Sequence, residues 1–533
     1  MSLESRLDGW SRGWRGPLLA ALIAMIAGLP GLMAVPPLDR DESRFAQATA
    51  QMLETGDYVN IRFQEDPRYK KPIGIHWLQA ISVAVFSDSA DREIWAYRIP
   101  SLLGAMLAAA ACAWGAAAFF GPRLGLFAGG LLGASFILST EAFIAKTDAV
   151  LCGAVTLAMA ALSHVYFASR GGPPTSKRTW LLFWGGLALA TLVKGPVGPM
   201  AVILTILMLW AWDRDARWLA NLRWGWGLIL FFAIIGPWAI AITVATDGAF
   251  WGAAVGGDLA PKLAGGHERH GGPIGYHTLM ASFLIFPATL LLPAAVWRGW
   301  RERLEPGVRF AICWLIPTWI VFELLPTKLV HYTLPTYGAL AWLMAAAMRQ
   351  PLSRPLSVTG AVLTAIAAAV FSAASIYVLA EFGEGFDLWA AALTVLLFVT
   401  TAIVGGYMIL RRAAATAMVA AGALGILAHG AFFAALAPML EPVWLSREVA
   451  EKLEETRLHP RSGVTPGPVE VAGYAEPSLV FALGTPTGLG DGEDAAVAVF
   501  QGRPAVVESR EEPAFRAAMA RRGLAPRPAG QVQ

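Results

Sequence analysis

A dense run of charged side chains lies between two apolar stretches near the N-terminus. The run, DRDESRFAQATAQMLETGDYVNIRFQEDPRYKKP, covers residues 39–72. Asp39 and Glu42 have the spacing of a helix-capping box, and Gly56 follows a helical repeat of apolar residues. The pattern predicts a short amphipathic helix on a membrane surface, with Asp41 in its first turn, where free backbone N–H groups favour anions.

The charges of this run suit two chemical tasks. A carboxylate such as Asp41 can take the proton of an attacking hydroxyl group, and cations such as Arg44 and Lys71 can bind a phosphate. Simpler interpretations are helix capping by the acids and a lysine that reaches from the interface to lipid headgroups. Capping and anchoring do not require so many acids beside arginines within a few residues, so the pattern favours a catalytic site.

Three later segments carry polar side chains close to apolar runs. FIAKTDAV contains an acid near a predicted span, and LLPTKLVHYTLPTYGAL places a lysine and a histidine just before another span. GGHERHGGPIGYH contains a His-x-x-His pair that could ligate a metal. Because no carboxylate or cysteine stands at a diagnostic spacing, hydrogen bonding to a substrate is favoured over a metal site. The candidates are Asp148, Lys328, His331, His267, His270 and Tyr276.

Composition indicates an integral membrane protein. Hydrophobic residues make up 56% of the 533 residues, charged residues make up 15%, and the mean hydropathy is +0.54. A net charge of +3, with basic residues scattered between apolar runs, argues against a nucleic-acid partner. The three cysteines lie inside apolar runs, which predicts packing roles rather than disulfides or a thiolate metal site.

About thirteen apolar runs are candidates to cross a bilayer as helices. Alternate loops between these runs hold the lysines and arginines, as the positive-inside rule requires, if residues 73–97 stay outside as an interfacial segment. The first run has no small-residue cleavage pattern after it and is interpreted as a retained span. The runs lie near residues 17–36, 98–119, 124–142, 149–168, 180–195, 197–212, 224–246, 278–297, 308–325, 332–348, 356–380, 388–410 and 413–437.

These runs divide the chain into two domains. We predict a transmembrane domain over residues 1–437, with a first extracytoplasmic loop over residues 38–97. The segment over residues 438–533 is polar and rich in proline and glycine, which predicts a small extracytoplasmic α/β domain. Its expected strands lie in VEVAG and AAVAVF, and its expected helix lies over residues 511–522.

The first loop also carries a family resemblance. LDRDESRFAQATAQMLETGDYVNIRFQEDPRYKKPIGIHWLQA resembles the first extracytoplasmic loop of the ArnT-like and protein O-mannosyltransferase group of polyprenyl-phosphate-sugar glycosyltransferases, which have the GT-C fold (glycosyltransferase families 39 and 83). AKTDAV, HERHGGPIGYH and PTKLVHYTLPTYGAL match more loosely. The resemblance implies that Asp41, followed by Glu42, is the catalytic carboxylate and that Asp148 is the second acidic position. Lys71 would contact the lipid phosphate, and Arg44 would help to shape the site.

The resemblance implies a glycosyltransferase in the bacterial inner membrane, with its site facing the periplasm. A sugar would pass from an undecaprenyl phosphate donor to an acceptor hydroxyl or phosphate, and a single displacement would invert the anomeric carbon. Lys328 or His331 would join the cations that stabilise the departing phosphate. For the proton acceptor, Asp41 is the first choice and Asp148 the second, and assistance by a divalent metal stays open.

The acceptor and the class of function each have alternatives. Lipid A or lipopolysaccharide is the favoured acceptor, and protein serine or threonine or another glycan is the alternative. A flippase for the lipid-linked sugar is the alternative from another class. A flippase would place ionisable residues near the bilayer midplane, whereas the acids of this sequence cluster at one boundary.

Overall fold

Helices make up most of the chain. The computed structural model describes residues 3–261, 271–385, 387–462 and 467–532. A π-helix covers Gly252–Leu259. The helices, numbered in chain order, are α1 Leu3–Trp10, α2 Arg15–Ala34, α3 Asp41–Thr55, α4 Gly74–Phe86, α5 Ile94–Phe120, α6 Pro122–Gly133, α7 Phe136–Glu141, α8 Asp148–Ala168, α9 Thr179–Lys194, α10 Val197–Asp213, α11 Trp224–Ala245, α12 Ala249–Trp251, α13 Tyr276–Leu284, α14 Leu292–Arg301, α15 Pro306–Leu324, α16 Tyr337–Ala347, α17 Arg354–Phe382, α18 Leu388–Leu410, α19 Ala414–Ala431, α20 Ala437–Met439, α21 Leu445–Glu455, α22 Pro477–Leu483, α23 Gly492–Phe500 and α24 Glu512–Arg521.

The apolar runs of the sequence are all helical, so the chain is a polytopic helical membrane protein. Among the described residues, eight helices are long and apolar enough to cross a membrane, or nine if a bent pair counts as one span. In that pair, Tyr276–Leu284 and Ala288–Arg301 meet at 116°. The predicted run 124–142 is divided between α6 and α7. Three further runs form shorter apolar helices, Thr179–Lys194, Val197–Asp213 and Leu334–Ala347. A fourth shorter apolar helix, Gly74–Phe86, lies in the segment that was predicted to stay outside.

The helix predicted in the charged run is α3. It ends at Gly56, which adopts φ 71° in the left-handed region, as predicted. Its apolar face is covered, because Ala46 and Ala50 pack with Val83 of α4 and Phe481 of α22, and its place on a membrane surface stays a prediction. Helix α3 therefore lies under the C-terminal segment, and its polar residues must find partners inside the protein.

The predicted capping box does not form. Arg40 is the N-cap residue, and its backbone has φ 61° and ψ −101°. Asp39 accepts a hydrogen bond from Ser478 of α22. A tertiary contact thus replaces the local cap, and the backbone entering α3 takes a conformation that non-glycine residues rarely adopt.

Glu42 and Arg98 form a fully buried ion pair. Arg98 donates to Glu42 through Nε at 2.8 Å and through Nη2 at 2.7 Å, and both side chains have 0% exposure. The same carboxylate accepts the backbone N–H groups of Ala145 at 2.7 Å and of Leu38 at 2.8 Å. Arg98 also donates to the carbonyl of Pro36 at 2.9 Å. This pair joins the first loop, α5 and the corner before α8.

The C-terminal segment contains a three-stranded parallel sheet. Strands β3 Glu470–Ala472, β4 Gly488–Gly490 and β5 Ala505–Val507 pair in the order β4-β3-β5, whereas β1 Arg62–Phe63 and β2 Asp66–Pro67 form a small antiparallel hairpin in the first loop. The strand in VEVAG and the helix near residues 511–522 are confirmed. The strand predicted in AAVAVF was wrong, because Asp491 and Asp494 form a capping box that starts helix α23 there.

Basic loops meet in an ionic cluster at the opposite end of the helices. Asp213, at the end of α10, accepts hydrogen bonds from Arg170 at 2.8 Å, from Tyr166 at 2.7 Å and from Arg309. Arg170 follows the last turn of α8, whereas Asp148 begins that helix. A helix of 21 residues is about 31 Å long, so the acidic candidates and these basic loops lie on different sides of the helical layer.

The buried pair yields a prediction for stability. Changing Glu42→Gln leaves the guanidinium of Arg98 buried without a counter-charge, which costs about 3–5 kcal/mol of folding free energy. Thermal unfolding of the purified protein in detergent should show a clearly lower midpoint. Glu65→Gln, at an exposed position of the same loop, is the matched control and should leave the midpoint unchanged. Equal midpoints for both variants would contradict a supporting role for the pair.

The turn after α4 yields a prediction for topology. Ser89 is partly exposed, whereas the three native cysteines are buried. If residues 73–97 stay outside, a Ser89→Cys variant should react in intact cells with a thiol reagent that cannot cross the inner membrane. Protection of that cysteine until the membrane is disrupted would contradict the predicted topology.

Candidate functional site

Asp41 presents an exposed carboxylate at the start of α3. The backbone on both sides is held, by the unusual conformation of Arg40 and by the buried pair of Glu42. Among the described residues, the carboxylate of Asp41 has no hydrogen-bond or ion-pair partner. An acid with a fixed backbone and a free carboxylate is suited to accept a proton from a bound substrate. Glu42, in contrast, has its carboxylate saturated, and its geometry favours a positioning role.

Asp148 lies at the centre of a cluster of cations. Lys194, the last residue of α9, donates a hydrogen bond to its carboxylate. Lys146 lies 3.8 Å away and His331 Nε2 lies 3.7 Å away. The side chain of Asp148 is 5% exposed. Its charge is therefore balanced within the protein, and it holds two lysines at the edge of the site.

Glu141 extends this cluster on the side away from Asp148. Its Oε1 atom lies 3.0 Å from Lys146 Nζ and 3.6 Å from His331 Nδ1, and the second oxygen, Oε2, is buried without a hydrogen-bond partner among the described residues. Lys146 Nζ lies 3.4 Å from His331 Nδ1. The imidazole ring is thus bracketed by two carboxylates, and Lys146 contacts all three groups.

The cluster sets the charge of its members. Burial lowers the pKa of His331 well below its ordinary value, and the nearby lysines act in the same direction. The imidazole is therefore neutral near pH 7 and can donate one hydrogen bond and accept another. Burial also works against the ammonium form of Lys146, but the carboxylates of Glu141 and Asp148 outweigh it and raise its pKa to about 12. Lys146 stays a cation.

Electrostatic coupling connects the first loop with this cluster. The charge of Asp41 acts on Lys146, and the charge of Lys71 acts on His331. The side chain of Lys71 is 24% exposed, and its Nζ atom lies 3.7 Å from Asp258 Oδ2. The structure thus brings Asp41, Lys71, Asp148 and His331 to one end of the helical layer, as the sequence predicted.

Arg44, in the first turn of α3, lies near the C-terminal segment. It is partly buried, and its charge acts on Glu476, just before α22. The structure therefore places Arg44 between the first loop and the C-terminal segment. Its predicted part in shaping the site stays a prediction.

The ammonium of Lys328 caps the C-terminal end of α15. Its ammonium donates to the carbonyl of Phe322 at 3.0 Å and to that of Glu323, and it lies 3.8 Å from the carboxylate of Glu323. These carbonyls belong to the last turn of α15, where a lysine is a favourable cap. This geometry favours a structural role for Lys328 over contact with a donor phosphate.

The predicted substrate loop is described only in part. His267 and His270 lie outside the described residues. Tyr276 begins α13 and is half-buried. Glu323 accepts the backbone N–H groups of Gly275 at 3.2 Å and of Thr278 at 2.9 Å, which ties the start of α13 to the end of α15.

Within the described ranges, no group of three histidine, cysteine, aspartate or glutamate side chains is arranged to hold a metal ion. Lys71, Lys146 and Lys194 are cationic side chains of the type that binds a phosphate.

Sequence reasoning missed Glu141 and Lys194. Each stands at the end of an apolar helix, where a single charge is commonly a membrane anchor. The available signal was that the predicted topology places both charges on the same side of the membrane as Asp148. Only the packing of α7, α8 and α9 shows that they meet.

Comparisons with known proteins agree with this architecture. Residues 70–240 match the family of dolichyl-phosphate-mannose-protein mannosyltransferases. The chain is 28% identical over 320 residues to an undecaprenyl phosphate-alpha-4-amino-4-deoxy-L-arabinose arabinosyl transferase of Aeromonas salmonicida, which covers 58% of this chain and 57% of the relative. It is 30% identical over 335 residues to the corresponding protein of Pseudomonas paraeruginosa, covering 60% and 58%. The chain thus spans less than two thirds of the length of these relatives.

The structure resembles ArnT from Cupriavidus metallidurans over nearly its full length. The TM-score is 0.76 with the apo state, at 20% identity and 94% coverage of each chain. It is also 0.76 with the form bound to undecaprenyl phosphate, at 20% identity and 96% coverage of each chain. The predicted resemblance is thereby confirmed, and this chain shares the GT-C fold of that structure.

Proposed function

We propose that this protein is an inverting glycosyltransferase that moves a sugar from a polyprenyl phosphate donor to an acceptor. The observation that carries the proposal is the free carboxylate of Asp41 beside a cluster of cations that includes Lys71, Lys146 and Lys194. Transfer from a lipid phosphate requires a proton acceptor on one side of the sugar and cations at the departing phosphate. The names of the curated relatives and the undecaprenyl phosphate in one ArnT structure support this donor class.

The reaction assigns a role to each group. The acceptor oxygen attacks C1 of the sugar, the C1–O bond to the phosphate breaks, and its electron pair stays on the phosphate oxygen. Asp41 takes the proton of the attacking hydroxyl. Lys71 and the lysines beside Asp148 stabilise the phosphate as its negative charge grows, so they act more strongly on the transition state than on the bound donor. One displacement inverts the anomeric carbon.

Asp41 suits the role of proton acceptor better than Asp148 does. The carboxylate of Asp148 accepts a hydrogen bond from Lys194 and lies near Lys146 and His331. To accept a proton from a substrate, this carboxylate would have to give up its contacts with the lysines. Asp41 is exposed and has no such partner among the described residues. We assign Asp148 to the positioning of the lysines.

The favoured acceptor is lipid A or lipopolysaccharide, with aminoarabinose or another glycose as the sugar. The relatives from Aeromonas and Pseudomonas, which are named for the transfer of aminoarabinose from undecaprenyl phosphate, support this sugar and its carrier. The hydroxyl that loses its proton can stand on carbon or on a phosphate monoester. The match to mannosyltransferases that act on protein supports protein serine or threonine as the second candidate acceptor.

We propose that the site faces the periplasm from the inner membrane of a bacterium. The basic cluster around Asp213 lies at the opposite end of the helices, which by the positive-inside rule is the cytoplasmic end. The C-terminal segment, residues 438–533, then forms a periplasmic domain that covers α3. Such an arrangement lets a lipid-linked donor enter from the outer leaflet.

Asp41→Asn should abolish transfer while donor binding persists. The amide cannot accept a proton at neutral pH, so the rate should fall by at least about 100-fold. Turnover by purified protein in detergent is the measurement. Asp66→Asn, an exposed exchange in the same loop, should keep full activity. Turnover in Asp41→Asn at the rate of the control would remove Asp41 from this role.

Lys71→Ala should weaken binding of undecaprenyl phosphate. The loss of one charged contact with a phosphate should raise the dissociation constant by about ten- to a hundredfold. Lys70→Ala, which removes the neighbouring exposed lysine, is the matched control and should change the constant little. If both variants bind as the unmodified protein does, Lys71 is an interfacial anchor.

Mass spectrometry tests the function as a whole. Lipid A, core oligosaccharide and envelope glycoproteins from cells with and without the protein should differ by the mass of one sugar in a single fraction. A difference in lipid A supports the favoured acceptor, and a difference in glycoproteins supports the second. No difference in any fraction, with a lipid-linked sugar accumulating on the cytoplasmic side, would favour the flippase.

A further inference from the structure

The lysine assigned to the donor phosphate is paired with an acid of another segment. Lys71 Nζ lies 3.7 Å from Asp258 Oδ2. This distance is longer than a hydrogen bond and within the range of an ion pair. Asp258 stands far along the chain from the first loop, so the pairing depends on how the segment after α11 folds back over the site.

The segment that carries Asp258 is unusual. It is a π-helix over Gly252–Leu259, and within it Asp258 is the buried residue. Gly256 and Gly257 are exposed, with nothing within 4 Å of where a Cβ atom would stand. Short π-helical stretches are rare and occur frequently at functional sites. The segment therefore directs one acidic side chain inward, toward Lys71, from an otherwise exposed backbone.

An anion at this place affects phosphate binding directly. A phosphate that contacts Lys71 comes within several ångströms of Asp258, and two negative charges at that distance repel each other. The pair is partly shielded from water, with side-chain exposures of 24% for Lys71 and 10% for Asp258. Solvent therefore screens the repulsion less than it would on an open surface.

Resting on the proposed function, we infer that Asp258 is a positioning residue. Its carboxylate pairs with the ammonium of Lys71 when no phosphate is bound, and it competes with an arriving phosphate for that ammonium. In the empty site, Asp258 keeps the ammonium directed at the phosphate position. In the loaded site, the phosphate replaces the carboxylate as the partner of Lys71.

The competition acts unequally on donor and product. The donor phosphate is a diester with one negative charge, whereas the undecaprenyl phosphate left after transfer is a monoester that approaches two charges near pH 7. Repulsion by Asp258 is therefore stronger for the product than for the donor. Asp258 thus favours release of the spent carrier after each turnover.

Binding of undecaprenyl phosphate to the purified full-length protein tests this inference. Asp258→Asn should bind it about three- to tenfold more tightly, and the gain should shrink as ionic strength rises. Asp258→Glu, which keeps the charge, should bind as the unmodified protein does. Where turnover can be followed, product inhibition by undecaprenyl phosphate should strengthen in Asp258→Asn more than the KM for donor falls.

Two controls separate the possible causes. Asp247→Asn removes an exposed acid from the turn just before α12 and should leave binding unchanged. In a Lys71→Ala background, Asp258→Asn should give a smaller gain than in the unmodified protein. Equal tightening by Asp247→Asn and Asp258→Asn, or no tightening by Asp258→Asn, would overturn the inference.

The outcomes also distinguish this inference from the proposed function. If Lys71→Ala leaves binding unchanged, the phosphate role of Lys71 fails, and the role of Asp258 fails with it. If Lys71→Ala weakens binding and Asp258→Asn does not tighten it, only the inference about Asp258 fails. The binding measurement needs no transfer, so its result does not depend on the identity of the acceptor.

Discussion

The geometry of the candidate site depends on a buried ion pair. Glu42 and Arg98 are completely enclosed, and each charge is tolerable only because the other is present. Their remaining hydrogen bonds go to backbone groups of the first loop and of Ala145. The pair therefore fixes where α3 begins and where the corner before α8 lies. Asp41 is the residue before Glu42, and Asp148 stands three residues after Ala145, so the positions of both acids follow from one interaction.

The charges around Asp148 lie close to groups of opposite charge. Lys146 lies within ion-pair distance of Glu141 and Asp148, Lys194 donates to Asp148, and burial keeps the imidazole of His331 neutral. Balanced charges are cheaper to bury than a group of lysines alone. The arrangement holds cations at the edge of the membrane without requiring a bound anion to keep the protein folded.

The sequence predicted the helices well because each apolar run is long and continuous. It also located the first loop, the sheet strand in VEVAG and the gathering of Asp41, Lys71, Asp148 and His331. It did not predict that α3 is covered, since nothing local shows that the C-terminal segment lies on it.

The remaining misses have two physical origins, tertiary contacts and a local helix cap. The sequence could not show that Glu42 pairs with Arg98, because the partner lies inside the next span and resembles an interfacial arginine. The capping box was favoured locally, but Ser478 and Arg98 offered its acids stronger tertiary partners. In AAVAVF, an alternating pattern of small residues suited a strand and a helix equally, and the cap at Asp491 decided for the helix.

The cover over α3 makes two distant parts of the chain a single unit. Gln47 donates to Thr485 at 2.7 Å, Gln64 donates to the carbonyl of Thr487 at 2.6 Å, and Arg92 donates to the carbonyl of Phe481 at 2.9 Å. These polar groups of the first loop are satisfied by the C-terminal segment. A chimera that took its first loop from one relative and its C-terminal segment from another would bury mismatched donors and acceptors. The two segments must therefore be exchanged together. For the same reason, substitutions in the first loop and in the C-terminal segment are expected to occur as matched pairs.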